Sequence, residues 1–151
     1  LKRGIPAVLG ALGPDAARVA RERAEEVGAP VFARGDDFEV HTLEAPRETE
    51  QRIVFESRGW APLETPLAAP GEAAAANAAL AIACVRMLGA HSEAAIRAAA
   101  PRAFGRIVLP GRIEILPDDP TVVVDAAHTE RSAEVLARAL ERIAPGGCVF
   151  L

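Results

Sequence analysis

The chain has 151 residues, of which 50% are hydrophobic, and it carries a formal net charge of −4 at neutral pH. This length and apolar content are sufficient for a packed core, so they exclude a disordered tail. The acidic balance, without a basic stripe interleaved with aromatic side chains, argues against a nucleic-acid-binding protein.

The N-terminal region predicts a βαβ-like unit. A short aliphatic run at 5–9 precedes a strongly patterned helix over 14–27, which ends before Gly28. A second short strand follows at 30–33. Because a crossover helix joins parallel strands, this unit indicates a parallel sheet.

The pattern then changes to short β-rich segments. Between residues 37 and 67, three such segments are separated by Pro, Gly and charged residues, which is typical of a small antiparallel β flap. An alanine-rich helix over 73–88 and a second helix over 92–99, with Ser92 as its N-cap, are expected next. A Pro- and Gly-bearing connector is predicted from residue 101 to residue 111.

The C-terminal part predicts the beginning of a second α/β unit. Strands are expected at 112–116 and 121–124 on either side of a turn, followed by an amphipathic helix over 130–143. A buried strand is expected at 148–151. The chain opens without Met and stops inside this last predicted strand, which indicates a fragment of a longer protein.

The two cysteines, Cys84 and Cys148, lie far apart and lack the spacing of a metal site. We expect two buried free thiols and no metal ligands. The longest apolar run is interrupted by Asn77 and Arg86, and the N-terminus has no apolar signal core. These features predict a cytoplasmic protein without a membrane span.

Asp125 and His128 are candidate ligand-binding residues because they directly follow the strand predicted at 121–124. The carboxyl edge of such strands is where open α/β sheets bind ligands. Asp125 is suited to accept hydrogen bonds from ribose hydroxyls, and His128, with the amides of the next helix, is suited to face a nucleotide or phosphate. The alternative is that Asp125 and Thr129 serve only as turn and cap residues.

Arg112 and Asn77 are the other two candidates. A guanidinium in a connector can clamp phosphate or ribose between two domains, although a surface salt bridge is an equal alternative for Arg112. Asn77 is the single amide in an alanine run whose small side chains permit close approach of a ligand. Its alternative is an exposed helix position. His41 and His91 are expected to be exposed, and no catalytic residue is assigned.

Three parts of the sequence carry a resemblance to a known family: KRGIPAVLG near the N-terminus, Gly71 with Asn77 and the AALAIA after it, and LPGRIE with VVVDAAHTERSA. They are similar to segments of the Mur ligase superfamily, within its folylpolyglutamate synthase and dihydrofolate synthase branch. The resemblance implies that residues 1–108 are the C-terminal part of a P-loop-type central ATPase domain. It also implies that residues 109–151 are the linker and the first βαβ of a Rossmann-like C-terminal domain.

An ATP-dependent ligase is what the resemblance implies, with ATP and Mg²⁺ as cofactors. ATP would phosphorylate a carboxylate of folate or dihydropteroate, and glutamate would attack the acyl phosphate. Asn77, Arg112 and Asp125 would contact the nucleotide, and His128 would help to shape the same site. The phosphate loop and magnesium ligands would lie upstream, so the fragment alone would be inactive, whereas the full-length enzyme would be monomeric.

Two alternatives remain open. Ala73 and Ala74 occupy positions where the family usually has His and Gln, which makes a non-catalytic Mur-like nucleotide-binding or interaction module credible. The segment IAPGGCVFL is similar to a late strand motif of class I methyltransferases, but DAAHTE has no glycine of the kind such enzymes use.

Overall fold

The computed structural model describes residues 1–43, 51–116 and 119–151. These residues form β1 (Ala7–Leu9), α1 (Pro14–Val27), β2 (Val31–Ala33), β3 (Phe38–Leu43), β4 (Gln51–Ser57), β5 (Leu63–Leu67), α2 (Glu72–Leu88), α3 (Glu93–Phe104), β6 (Glu114–Leu116), β7 (Val122–Val124) and α4 (Glu130–Ile143). The result is a mixed α/β fold, as the sequence predicted.

The predicted βαβ unit is confirmed. β1 and β2 pair in parallel, from Ala7 opposite Val31 to Leu9 opposite Ala33, and α1 crosses between them. The helix ends at Gly28, whose φ of 64° lies in the left-handed region that glycine adopts without a Cβ clash.

The antiparallel β flap is also confirmed. β3, β4 and β5 form one sheet in that order, and alternate residues on each strand point inward. The inner face packs against α2 and α3, and the small side chains of α2 permit a close approach. The core contains Phe38, Val40, Ile53, Phe55, Leu63, Leu67, Ala69, Ala75, Ala78, Ala79, Ile82, Ala83, Ile96 and Ala100.

Helix α3 is longer than the sequence predicted. It continues through Pro101 to Phe104, so the connector begins about one turn later than expected. The reason is tertiary: Phe104 is partly buried against the core, and its carbonyl accepts a hydrogen bond of 2.9 Å from the amide of Ala68. These contacts outweigh the local tendency of proline to end a helix.

The C-terminal part forms the antiparallel pair β6–β7 followed by α4. β6 starts at Glu114 rather than at Arg112, because Ile113 has a φ of 51° and therefore cannot continue an extended strand. Residues 117–118 of the predicted turn lie outside the described residues.

Two predictions for the C-terminal part and the cysteines were wrong. Residues 148–151 form no strand and are exposed, because no neighbouring strand in the described part of the chain pairs with their backbone groups. Cys84 and Cys148 are both exposed rather than buried. Cys84 lies on α2, whose core-facing side is taken by alanine and isoleucine.

Candidate functional site

The connector after α3 contacts the loop after β7 through two hydrogen bonds, one between backbone groups and one from a backbone amide to a carboxylate. The carbonyl of Gly111 accepts from the amide of Ala126 at 2.9 Å, and the amide of Ile113 donates to Oδ2 of Asp125 at 2.8 Å. Arg112 lies between these two contacts. The structure therefore places Arg112 and Asp125, two of the predicted site residues, at one junction.

Asp125 is half-buried and organises its own loop. While Oδ2 accepts from Ile113, Oδ1 accepts from the amide of Ala127 at 2.7 Å. This is the turn-capping role that was the alternative interpretation of the residue. Each carboxylate oxygen can accept more than one hydrogen bond, so both roles are chemically compatible.

The N-terminus of α4 is closed by a capping box. Thr129 Oγ1 accepts from the amide of Ser132 at 3.2 Å, and Ser132 Oγ accepts from the amides of Thr129 and His128 at 2.9 and 3.1 Å. Thr129 is therefore the N-cap, as the alternative interpretation had it. Of the helix amides that were expected to face a phosphate, that of Ser132 already has a partner inside the chain.

His128 is exposed, and its Nδ1 lies 3.0 Å from the carbonyl oxygen of Ala126. A carbonyl only accepts, so Nδ1 carries the proton in this hydrogen bond. In the neutral imidazole, Nε2 is then an acceptor that a ligand donor can reach.

Arg112 is exposed, and its guanidinium forms no ion pair with any described residue. The surface salt bridge that was its alternative is therefore absent from the part of the chain that the structure describes. Its position is fixed through the backbone instead, since its amide donates to the carbonyl of Leu109 at 3.1 Å. The charge is free to meet an anionic ligand.

Asn77 is exposed on α2, and no hydrogen bond joins its side chain to another described residue. This local environment matches the alternative of an exposed helix position. The start of α2 nevertheless reaches the junction, because a Cβ built on its N-cap Gly71 would lie 3.4 Å from Cδ1 of Ile113. Arg112, Asp125 and His128 thus lie around one junction. Asn77 lies farther along α2, the helix that begins there.

Sequence reasoning missed two residues that build this junction. Ile113 is 8% exposed and links Gly71 to Asp125. It was missed because a β-branched residue is not expected to adopt a left-handed backbone. Gln51 is also buried, and its Nε2 donates to the carbonyls of Ala69 and Gly71 at 2.8 and 2.9 Å. A glutamine at a strand terminus has no pattern that would reveal these partners.

A separate cavity of about 450 Å³ lies at the carboxyl ends of β1 and β2. The charged side chains that line it form ion pairs within the chain: Arg34 with Glu39 at 2.5 Å, and Arg21 with the nearby Asp36 at 2.6 Å. Burial raises the pKa of Glu39, but hydrogen bonds from the Val40 amide and Arg34 and the nearby positive charges outweigh it, so this pKa lies below its ordinary value.

No cluster of three or more His, Cys, Asp or Glu side chains suited to a metal ion occurs in residues 1–43, 51–116 and 119–151. Within the same residues, no helix combines the length and the apolar character that crossing a membrane requires. His41 and His91 are exposed, as predicted.

Comparison with known proteins gave a consistent result, although no family model matches the chain. The dihydrofolate synthase/folylpolyglutamate synthase of Bacillus subtilis is 31% identical over 144 residues, which cover 94% of this chain. Several solved structures also match, among them the following two. A folylpolyglutamate synthase complex with AMPPCP and folate has a TM-score of 0.82 and 26% identity, covering 95% of this chain and 35% of that one. The Mycobacterium tuberculosis enzyme with ADP and AMPPCP has a TM-score of 0.73 and 30% identity, covering 89% and 30%.

The chain spans about one third of the length of the Bacillus subtilis protein, of which it covers 33%. The relatives and solved structures named above are folylpolyglutamate synthases, which favours the ligase resemblance over the methyltransferase alternative. Over nearly its whole length, the chain is similar to one segment of folylpolyglutamate synthase and dihydrofolate synthase, which confirms the resemblance seen in its sequence.

Proposed function

We propose that this chain is the part of an ATP-dependent ligase that holds the nucleotide while glutamate is added to folate or dihydropteroate. The observation that carries the proposal is the junction at which the residues on either side of Arg112, Gly111 and Ile113, are hydrogen-bonded to the Asp125 loop, while the guanidinium of Arg112 has no ion pair with a described residue. The names of the relatives support it, since the Bacillus subtilis protein is a dihydrofolate synthase/folylpolyglutamate synthase, and matching structures contain AMPPCP and folate.

The proposed reaction joins a carboxylate to an amine in two steps. The carboxylate of the pteridine substrate attacks the γ-phosphorus of ATP, so ADP leaves and an acyl phosphate forms. The amine of glutamate then attacks the acyl carbon, phosphate leaves, and an amide bond is formed. The chemistry needs positive charge near the phosphates and firm positioning of the nucleotide.

The four predicted residues have distinct roles in this proposal. Arg112 supplies positive charge to the phosphates, and Asp125 accepts hydrogen bonds from the ribose through its remaining lone pairs. His128 offers Nε2 to a donor of the nucleotide, and Asn77 contacts it from α2. ATP therefore fits the chemistry of these side chains. No described cluster fits Mg²⁺, so its ligands are assigned to another part of the protein and no step is derived through it.

The domain assignment is part of the same proposal. Residues 1–108 would complete a central ATPase domain, and residues 109–151 would form the linker and the start of a C-terminal domain. The whole protein would act as a monomer in the cytoplasm, and the segment by itself would not turn over ATP.

A non-catalytic nucleotide-binding module is the second candidate. Ala73 and Ala74 favour it, because both are apolar and stand in the first turn of α2 at the two positions where the family usually has His and Gln. Arg112 and Asp125 would then still bind a nucleotide, but no amide bond would be formed.

A nuclear magnetic resonance titration of the chain with AMPPCP tests the nucleotide site and detects weak binding. Arg112→Ala should weaken AMPPCP binding about tenfold or more, which corresponds to the loss of one charge-assisted contact. Arg106→Ala is the matched control, because Arg106 is an exposed arginine in the same connector. Equal binding by both variants would rule out the proposed role of Arg112.

Assays on the whole protein distinguish the two candidates. The ligase proposal predicts ATP- and glutamate-dependent elongation of folate or dihydropteroate, with loss of turnover in the Arg112→Ala variant. AMPPCP binding without elongation of either substrate would instead establish the non-catalytic module.

A further inference from the structure

Ile113 has an unusual backbone. Among the described residues it is the only non-glycine residue with a positive φ, at 51°. A β-branched side chain is poorly tolerated in this left-handed region, because its Cβ substituents crowd the backbone. Such a conformation persists only where surrounding contacts impose it, and it is concentrated at functional sites.

Two contacts impose the conformation of Ile113. Its amide donates to Oδ2 of Asp125 at 2.8 Å, which fixes the backbone on the side of the β7 loop. Its buried side chain reaches Gly71, where an added Cβ would come within 3.4 Å of Cδ1. Gly71 has a φ of 93°, and its carbonyl accepts from Gln51, so the surface that Ile113 meets is itself fixed.

The left-handed turn also determines where Arg112 lies. Because of this turn, β6 begins only at Glu114, whose Oε2 accepts from the amide of Gly111 at 2.9 Å. Residues 111–114 thus form a tight turn, and Arg112 is one of its residues. An extended Ile113 would break the contact to Asp125 and change the path of the backbone at Arg112.

We infer that Ile113 is a positioning residue, which holds Arg112 and Asp125 in one geometry for the nucleotide by combining a left-handed backbone with a side chain anchored on Gly71. The inference rests on the proposed function and deepens it. Ile113 itself touches no ligand: its amide serves Asp125, and its side chain serves the start of α2.

Two substitutions at Ile113 separate anchoring from simple packing. Ile113→Gly tolerates the positive φ but removes the anchor, so the turn becomes free to move. Ile113→Leu keeps the side-chain volume and δ-carbons that can reach Gly71. Ile115→Ala is the matched control, because Ile115 is a half-buried isoleucine on β6 that pairs with Val123 and does not contact the Asp125 carboxylate.

Affinity for AMPPCP and amide hydrogen exchange are measured on the chain for each folded variant. Ile113→Gly should bind AMPPCP about tenfold more weakly and lose exchange protection at residue 113, whereas Ile113→Leu should retain affinity and protection close to those of the unsubstituted chain. Ile115→Ala should lower stability and leave affinity unchanged. Since a packing defect alone would lower stability without changing the affinity of the folded fraction, the two measurements distinguish positioning from packing.

Unchanged AMPPCP affinity in Ile113→Gly, or an equal loss of affinity in Ile115→Ala, would overturn the inference. If the unsubstituted chain bound no AMPPCP, the proposed function would fail and the inference with it. If Arg112→Ala weakened binding while Ile113→Gly did not, only the inference would fail.

Discussion

Gln51 is expected to contribute more to stability than any surface ion pair of the flap. Its side chain is 8% exposed, and its Nε2 donates to two carbonyls, of Ala69 at 2.8 Å and of Gly71 at 2.9 Å. The variant Gln51→Leu has a similar size but no donor. It therefore removes both hydrogen bonds with little change in packing volume.

The cost of Gln51→Leu follows from the two acceptors. The carbonyl of Gly71 still accepts from the amide of Ala75 at 3.2 Å, whereas the buried carbonyl of Ala69 loses the donor seen in the structure. One lost hydrogen bond costs about 0.5 to 1.5 kcal/mol, and one unsatisfied buried carbonyl costs about 1 to 3 kcal/mol. We expect the free energy of unfolding to fall by about 2 to 4 kcal/mol.

Urea unfolding followed by the fluorescence of Trp60 measures this loss. With a slope of about 2 kcal/mol per molar urea, the midpoint should fall by about 1 to 2 M. Arg52→Leu is the control on the same strand, because Arg52 forms an exposed ion pair with Glu64 at 2.7 Å, and such pairs contribute about 1 kcal/mol or less. A loss below about 1 kcal/mol in Gln51→Leu, or one equal to the control, would refute the reasoning.

Two further predictions concern stability. Arg86→Leu should lower the free energy of unfolding by about 2 kcal/mol, because the guanidinium lies 4.6 Å from the ring centre of Trp60 and donates to the backbone carbonyl of Arg58. The same change at the exposed Arg102 is the control, and equal losses in the two variants would contradict the prediction. Arg34→Leu should destabilise the chain at pH 7. The lowered pKa of Glu39 means that its ionised form stabilises the fold above the unfolded pKa, and that this contribution disappears as pH falls through the folded pKa. Unfolding midpoints should therefore converge as the pH falls below the ordinary pKa of a glutamate, and a pH-independent difference would count against the pairing.

The helix boundaries show what local sequence signals can predict. The sequence predicted α1 and α4 with the bounds that the structure has, because Pro14, Gly28 and Thr129 act on the backbone within a few residues of themselves. The end of α3 was missed by about one turn. Its local signal, Pro101, was overridden by the packing of Phe104, which no local pattern reports.

The candidate site shows the same division. The sequence by itself selected Asp125 and His128, which follow one predicted strand, and Arg112, whose guanidinium lies at the predicted connector. Only the tertiary structure decided that both oxygens of Asp125 accept backbone amides and that Arg112 is left without an ion pair in the described part of the chain.

The sequence determined the order of the elements as far as α4, the parallel pairing of β1 with β2, the antiparallel pairing of the flap, and the small side chains of the α2 interface. Tertiary structure decided the exposure of Cys84, the left-handed backbone of Ile113 and the buried hydrogen bonds of Gln51. The physical reason is the distance along the chain over which each effect acts. Caps, turns and periodicity act over a few residues, whereas burial and strain depend on groups that are distant in sequence and meet only when the chain is folded.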